Sequence, residues 1–67
     1  MIKWFYPRSI VYLGMLFTLV KIAVINQQVV GIYKDDDFGT EKIFTESEFK
    51  YHEYYGNLER RKQWNEH

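Results

Sequence analysis

The chain contains one long apolar run, residues 10–25, and this run limits what the chain can fold into. Its first eleven residues carry no charge, and Lys21 is the only charged residue between Arg8 and Lys34. A helix that crosses a bilayer needs about 20 mostly apolar residues to match a hydrocarbon core of roughly 30 Å. If the helix continues through the polar residues that follow, residues 10–33 reach that length. The sequence therefore predicts an all-α membrane protein, with a single transmembrane helix followed by a short extramembrane helical tail.

The size and composition of the chain favour this interpretation. Sixty-seven residues without cysteine make a marginal soluble domain, because too little surface can be buried and no disulfide compensates. The net charge is zero, which gives no electrostatic basis for binding nucleic acid. The predicted divisions are an interfacial N-terminal segment (1–9), the transmembrane helix (10–33), an acidic connector (34–44) and an amphipathic helical tail (45–67).

Aromatic residues lie at both ends of the predicted span. Trp4, Phe5 and Tyr6 precede it and Tyr33 ends it, and amphipathic rings favour the headgroup zone of a bilayer. We therefore expect these four residues at the membrane interface. Residues 4–6 could alternatively form a docking site on a neighbouring protein.

The predicted span has one small and polar side. At 100° per residue, Gly14, Thr18, Lys21 and Gln28 fall on one stripe of the helix, and Gly14 and Thr18 allow close helix approach. A lysine facing lipid costs about 2.5 to 3.5 kcal/mol on insertion scales, so Lys21 is expected to face protein or water or to reach an interface. The stripe is therefore a candidate partner-docking face. Lys21 could also belong to a proton or ion path.

The tail begins with a helix-start signal. Thr45 and Glu48 match a capping box, so a helix is expected to start there. Phe44, Tyr51, Tyr55 and Leu58 follow helical spacing, and this stripe should pack on another protein or lie along the membrane. The charged residues 59–62, which include Arg60 and Arg61, are either a solvated helix end or a further docking contact.

Residues that could support metal binding or catalysis are few. Asp35, Asp36 and Asp37 are adjacent but lack the alternating register of a calcium loop, and neither His52 nor His67 has a second ligand at helical spacing. No catalytic triad, phosphate loop or spaced carboxylate pair is present. We therefore expect no catalytic residue, no metal, no cofactor and no small-molecule substrate.

Three short segments stand in order around the hydrophobic run: residues 3–7 before it, and residues 49–52 and 58–62 after it. They read Lys-Trp-Phe-Tyr-Pro, Phe-Lys-Tyr-His and Leu-Glu-Arg-Arg-Lys. This layout resembles the MWFE subunit family of mitochondrial respiratory complex I, which are small single-span chains that begin with Met-Trp-Phe-Glu or a variant of it. The resemblance implies a supernumerary subunit of the inner mitochondrial membrane that binds no cofactor. It also implies that residues 4–6 and 59–62 dock onto other subunits.

The expected function is that of a non-catalytic accessory subunit of mitochondrial NADH:ubiquinone oxidoreductase (complex I), supporting assembly and stability of the membrane arm. Its expected partners are other subunits of a large membrane protein complex and the lipid bilayer. Lys3 and Arg8 flank the start of the span, so the positive-inside rule favours an N-terminus in the matrix and a C-terminus in the intermembrane space. Three alternatives stay open: a single-span subunit of cytochrome oxidase or ATP synthase, a small regulatory membrane peptide, and an enzyme subunit in which Lys21 moves protons.

Overall fold

The computed structural model describes residues 6–61, which form five strands and one helix. In chain order these are β1 (Ser9–Tyr12), β2 (Met15–Ile25), β3 (Gln28–Asp35), β4 (Glu41–Thr45), α1 (Glu46–Tyr54) and β5 (Leu58–Arg60). The strands form one antiparallel sheet in the order β4-β3-β2-β1-β5. The first four strands form successive hairpins. The helix then carries the chain to the opposite edge, where β5 pairs with β1.

Two tight turns divide the apolar run into strands. Leu13 and Gly14 join β1 to β2 with φ values of 52° and 80°, and Asn26 and Gln27 join β2 to β3 with φ values of 51° and 64°. A two-residue hairpin of type I′ needs positive φ at both central residues, because this matches the right-handed twist of the strands. The chain therefore reverses direction twice between Ile10 and Tyr33.

The predicted transmembrane helix at residues 10–33 is thus wrong, and with it the all-α membrane fold. Among residues 6–61, no helix is both long enough and apolar enough to cross a membrane. The valines and isoleucines of this segment are β-branched, which restricts them in a helix and suits them to a sheet, where neighbouring strands satisfy the backbone. The single-pass location in the inner mitochondrial membrane depended on that helix, so this prediction is wrong as well.

The core lies between α1 and one face of the sheet, here called the inner face. Ile10, Phe17, Tyr33 and Phe44 contribute to it from four neighbouring strands, and Phe49 contributes from the helix. The ring centroid of Phe44 lies 5.9 Å from that of Phe49 and 5.8 Å from that of Tyr33, both in edge-to-face geometry. Such aromatic pairs stabilise a core beyond the effect of buried area alone.

The predicted helix start at Thr45 is confirmed. Its side-chain oxygen accepts a hydrogen bond from the Glu48 N–H at 3.1 Å, and the Glu48 carboxylate accepts one from the Thr45 N–H at 3.2 Å. The helix ends at Tyr54, and after Gly56, which has a φ of 81°, the chain forms β5. Of the helical tail predicted for residues 45–67, Glu46–Tyr54 is helical and Leu58–Arg60 is a strand, and residues 62–67 lie outside the described residues.

The predicted acidic connector contains the turn between β3 and β4. Asp35 is buried, and its Oδ1 accepts hydrogen bonds from the N–H groups of Asp37 at 2.7 Å and Phe38 at 3.3 Å. Thr18 of β2 donates a 2.9 Å hydrogen bond to the Asp36 carboxylate. These aspartates thus shape a turn, and residues 6–61 contain no cluster of three or more acidic or histidine groups that could hold a metal ion.

Candidate protein-binding surface

Three tyrosines stand together on the solvent side of the last helical turn and the residue after it. Tyr51, Tyr54 and Tyr55 have relative exposures of 58%, 81% and 62%. The ring of Tyr55 lies 4.8 Å from that of Tyr51 and 4.9 Å from that of Tyr54, measured between centroids. We call these three residues the tyrosine cluster. The fold thus leaves three adjoining aromatic rings in solvent, where apolar burial against a partner is still available.

The tyrosine cluster contacts the sheet through His52. The His52 ring packs edge-on against Tyr51 at 5.2 Å, against Tyr12 at 5.2 Å and against Phe44 at 6.2 Å. One residue of the cluster is thereby linked through His52 to two strands of the sheet. The Nδ1 atom of His52 is buried and has no hydrogen-bond partner among residues 6–61.

Two ion pairs engage charged residues of α1. Lys50 forms a 2.8 Å ion pair with Glu46, and Arg60 forms a 2.8 Å ion pair with Glu53. Neither pair gives this side of the helix a net charge. The tyrosine cluster therefore offers rings and phenol hydroxyls next to two ion pairs that are neutral as pairs.

An exposed leucine lies close to the loop that follows the cluster. The N–H of Leu13, in the turn between β1 and β2, donates a 2.8 Å hydrogen bond to the carbonyl of Asn57. The side chain of Leu13 is largely exposed. The apolar surface at this end of the molecule thus includes the β1–β2 turn as well as the helix.

The residues expected at a membrane interface lie elsewhere. Trp4 and Phe5 are outside the described residues, whereas Tyr6 and Tyr33 are buried in the core. The Tyr33 hydroxyl donates a hydrogen bond to the Pro7 carbonyl at 2.6 Å, and that of Tyr6 donates to the Val29 carbonyl at 2.9 Å. Burial raises the pKa of both hydroxyls above the ordinary value of 10.0; the neighbouring Tyr6 adds to the effect at Tyr33, and Glu46 adds to it at Tyr6.

The docking face predicted on the span is divided in the structure. Gly14 lies in the β1–β2 turn, Thr18 binds Asp36, Lys21 is exposed on β2, and Gln28 begins β3. The helical stripe that joined these four residues does not exist, because the segment is a pair of hairpins.

The docking residues predicted in the tail have different environments. Tyr51 and Tyr55 belong to the tyrosine cluster, whereas Leu58 is buried in the core. Arg60 binds Glu53 and lies 5.1 Å over the Phe49 ring, and Arg61 is exposed while its N–H donates to the Ser9 carbonyl at 3.1 Å. The predicted stripe thus contained both surface tyrosines and core residues.

Sequence reasoning missed Tyr54, the most exposed of the three tyrosines. The sequence spacing could have identified it, because Tyr54 lies three residues after Tyr51, next to Tyr55, in a helix whose start was predicted. It was missed because Phe44 and Leu58 were placed on the same helix, although both are strand residues.

Comparison of the chain with protein-family models, with curated proteins and with solved structures gives no match.

Proposed function

We propose that this protein is a non-catalytic interaction module that binds a protein partner through the tyrosine cluster. The observation that carries the proposal is the contact of three exposed tyrosine rings on a short helix that packs on the core. Tyrosine is enriched at the centres of protein interfaces, because it offers a large contact area with only two side-chain torsions to fix.

The chemistry of the surface defines the kind of partner. Lys50 pairs with Glu46 and Arg60 with Glu53, so these four charges are matched within the chain. Three phenol hydroxyls need hydrogen-bond partners when they are buried. The expected partner is therefore a folded protein that offers an uncharged, apolar surface with backbone or amide acceptors at its rim.

The complex I assignment stays a prediction that none of these findings tests. It was built on a membrane span, and the structure removes that support. What carries over is the coarser expectation of a partner-binding chain without a catalytic role, in which Tyr51 and Tyr55 contact the partner. The proposed surface adds Tyr54 to them.

A photocrosslinking experiment in the source cells tests the proposal. The photoreactive residue p-benzoylphenylalanine replaces Tyr54, and in a control it replaces Phe38, an aromatic residue of the β3–β4 turn with a similar relative exposure of 79% against 81%. We expect one discrete cross-linked protein from position 54 and none from position 38. Equal cross-linking from both positions, or none from position 54, contradicts the proposal.

A binding measurement with the protein captured in this way completes the test. Replacing both Tyr54 and Tyr55 with alanine should weaken its affinity by about 10-fold or more, because interface tyrosines commonly contribute more than 1 kcal/mol each. Phe38→Ala should leave the affinity unchanged. Capture of a complex I subunit would support the original assignment, and capture of any other protein would remove it.

A further inference from the structure

Among residues 6–61, the longest strand of the sheet is paired along only part of one side. β2 runs over Met15–Ile25, but β1 pairs with it only as far as Thr18. One further backbone hydrogen bond, from the Leu19 N–H to the Arg8 carbonyl at 2.8 Å, extends this contact. From Val20 to Ile25, the side of β2 that faces away from β3 has no strand beside it among residues 6–61. We call residues 20–25 on this side the β2 edge.

Residues 6–8, the described part of the segment before β1, cross the inner face of the sheet. Pro7 accepts the hydrogen bond of the Tyr33 hydroxyl, and the Tyr6 hydroxyl reaches the Val29 carbonyl on β3. The Tyr6 ring lies over Gly31, where a Cβ would be only 2.7 Å from its Cδ1 atom. These contacts hold residues 6–8 over the inner face, and none of the three forms a strand beside the β2 edge.

The hairpin register shows which backbone groups the β2 edge presents. Ile25 pairs with Gln28 next to the two-residue turn, and Ala23 pairs with Val30. Residues that flank such a turn form a hydrogen-bonded pair, and the pattern alternates from Ile25 back to Lys21, before the register shift between Leu19 and Lys21. Ala23 and Ile25 thus direct their N–H and C=O groups to β3, whereas Ile22 and Val24 direct theirs outward. The β2 edge therefore offers two donors and two acceptors.

The side chains of the β2 edge are apolar and exposed. Ile22 has a relative exposure of 49% and Val24 one of 70%, and Val29, which pairs with Val24 on β3, is also exposed. Ile22, Val24 and Val29 share the inner face beyond the core cluster. A strand with unpaired backbone groups and apolar side chains is a template for pairing with another strand.

We propose that the β2 edge pairs with the β2 edge of a second copy of this chain, antiparallel, about a two-fold axis at Ala23. In this register Ile22 lies opposite Val24 of the second copy, and Val24 lies opposite its Ile22. All four outward groups of each copy then form backbone hydrogen bonds between the copies. Ala23 lies opposite Ala23 of the second copy in a non-hydrogen-bonded pair, where strands approach most closely and a small side chain fits.

The β2 edge is self-complementary in its charges as well as in its hydrogen bonds. Lys21, its only charged residue, lies opposite Ile25 of the second copy, so no like charges meet across the axis. On the inner face, Ile22, Val24 and Val29 of both copies join into one apolar cluster. The same surface patch on both copies is thus complementary to itself about a two-fold axis. This is the condition for a closed symmetric dimer. This interface shares no residue with the tyrosine cluster, so the two proposals can fail independently.

A cysteine scan tests the position of the axis. The native chain has no cysteine, so Ala23→Cys gives each copy a single thiol. A non-hydrogen-bonded pair has a Cα separation of about 4.5 Å, within the range that a disulfide can bridge. We expect Ala23→Cys to form a disulfide-linked dimer with oxidised glutathione.

The matched control is Ile25→Cys, on the same face of the same strand. The two thiols of that variant would be four residues apart along the paired strands, or about 13 Å, which is too far to bridge. Ile25→Cys should therefore stay unlinked under the same conditions. Equal linking of the two variants, or no linking of Ala23→Cys, overturns the proposal.

Sedimentation of the cysteine-free chain tests the association itself. We expect a concentration-dependent dimer, and Ile22→Lys should weaken its formation by about 10-fold or more, because an inward-pointing lysine blocks strand addition. Ile43→Lys on β4 is the control, since Ile43 is exposed to 47% against 49% for Ile22. Val24→Lys repeats the test at a more exposed position if Ile22→Lys fails to fold. A monomeric wild-type chain at all concentrations, or equal weakening by the Ile22 and Ile43 substitutions, overturns the proposal.

Discussion

The hydroxyl of Tyr33 donates a 2.6 Å hydrogen bond to the carbonyl of Pro7, which lies 26 residues earlier in the chain. The Tyr33 side chain is fully buried, and this bond holds the segment before β1 across the inner face of the sheet. Among residues 6–61, this path leaves the β2 edge without a strand beside it. One buried phenol thus affects both the stability of the fold and the shape of its edge.

Tyr33→Phe should lower the free energy of unfolding by about 1 to 3 kcal/mol, because it leaves the Pro7 carbonyl without its buried donor. Urea denaturation followed by circular dichroism measures the change. Tyr54→Phe removes a hydroxyl from an exposed ring and should have an effect below about 0.5 kcal/mol. Equal stability of Tyr33→Phe and the wild type would show that water replaces the bond.

The buried phenols also predict how stability depends on pH. Burial raises the pKa of Tyr33 and Tyr6 in the folded chain above the value of about 10 for an unfolded one. Above that pH the unfolded chain loses protons that the folded chain keeps. This favours the unfolded state, so the free energy of unfolding falls. This contribution is fully present below about pH 10 and is lost as the pH rises further.

Urea denaturation at pH 8, 9, 10 and 11 therefore tests the effect of these two phenols. The wild type should lose more stability between pH 9 and 11 than Tyr33→Phe, with Tyr51→Phe as the control for an exposed ring. An equal loss in Tyr33→Phe and the wild type would assign the alkaline destabilisation to other groups.

Gly31→Ala should destabilise the fold because β3 and the Tyr6 ring are in close contact. The added Cβ would lie 2.7 Å and 2.8 Å from the Cδ1 and Cγ atoms of Tyr6, and 3.1 Å from Cε1 of Tyr33. Overpacking of this kind typically costs about 1 to 3 kcal/mol. Thermal unfolding measures the cost, and a double-mutant cycle gives the control: Gly31→Ala should cost less when Tyr6 is already alanine. An unchanged cost in that background would show that the clash lies elsewhere.

His52→Phe should raise the stability or leave it unchanged, which is the opposite of the usual effect of a substitution at a packed position. The phenylalanine ring keeps the edge contacts with Tyr12 and Phe44. It also removes the buried Nδ1 atom, which has no hydrogen-bond partner among residues 6–61. An unsatisfied buried polar atom costs about 1 to 3 kcal/mol, so the gain in the free energy of unfolding should approach 1 kcal/mol. A loss of more than about 1 kcal/mol would show that Nδ1 is satisfied by water.

The sequence allows parts of this fold to be predicted. Thr45 and Glu48 identify the helix start, because a capping box depends on local geometry alone. The apolar run indicates burial but not the type of element, since residues on both faces of β2 are apolar and hide the two-residue alternation of a strand. The tyrosine cluster could be predicted only in part. Its tyrosines and the core residues Phe44 and Leu58 follow the same spacing in the sequence, and only the tertiary packing shows which of them are exposed.

The two hairpin turns explain why the strands were not recognised. The strongest short hairpin signal is Asn-Gly, because both residues adopt positive φ readily. Each turn of this chain has only one residue of that pair. The first turn is Leu13-Gly14, which has the glycine, and the second is Asn26-Gln27, which has the asparagine. Without that signal, a single helix across both turns accounts equally well for the apolar run.

This observation leads to a prediction for the second turn. Gln27 has a φ of 64°, which is unfavourable for a residue with a Cβ, and Gln27→Gly would complete an Asn-Gly turn between β2 and β3. We expect the free energy of unfolding to rise by about 0.5 to 1 kcal/mol, because relief of backbone strain exceeds the added entropy of the unfolded chain. Thermal unfolding measures the gain, and Gln28→Gly is the control: Gln28 belongs to β3 and has no positive φ, so its replacement should destabilise. A loss of stability in Gln27→Gly would mean that the turn does not govern the hairpin, and that the register of β2 against β3 is fixed by the side-chain pairs of the strands alone.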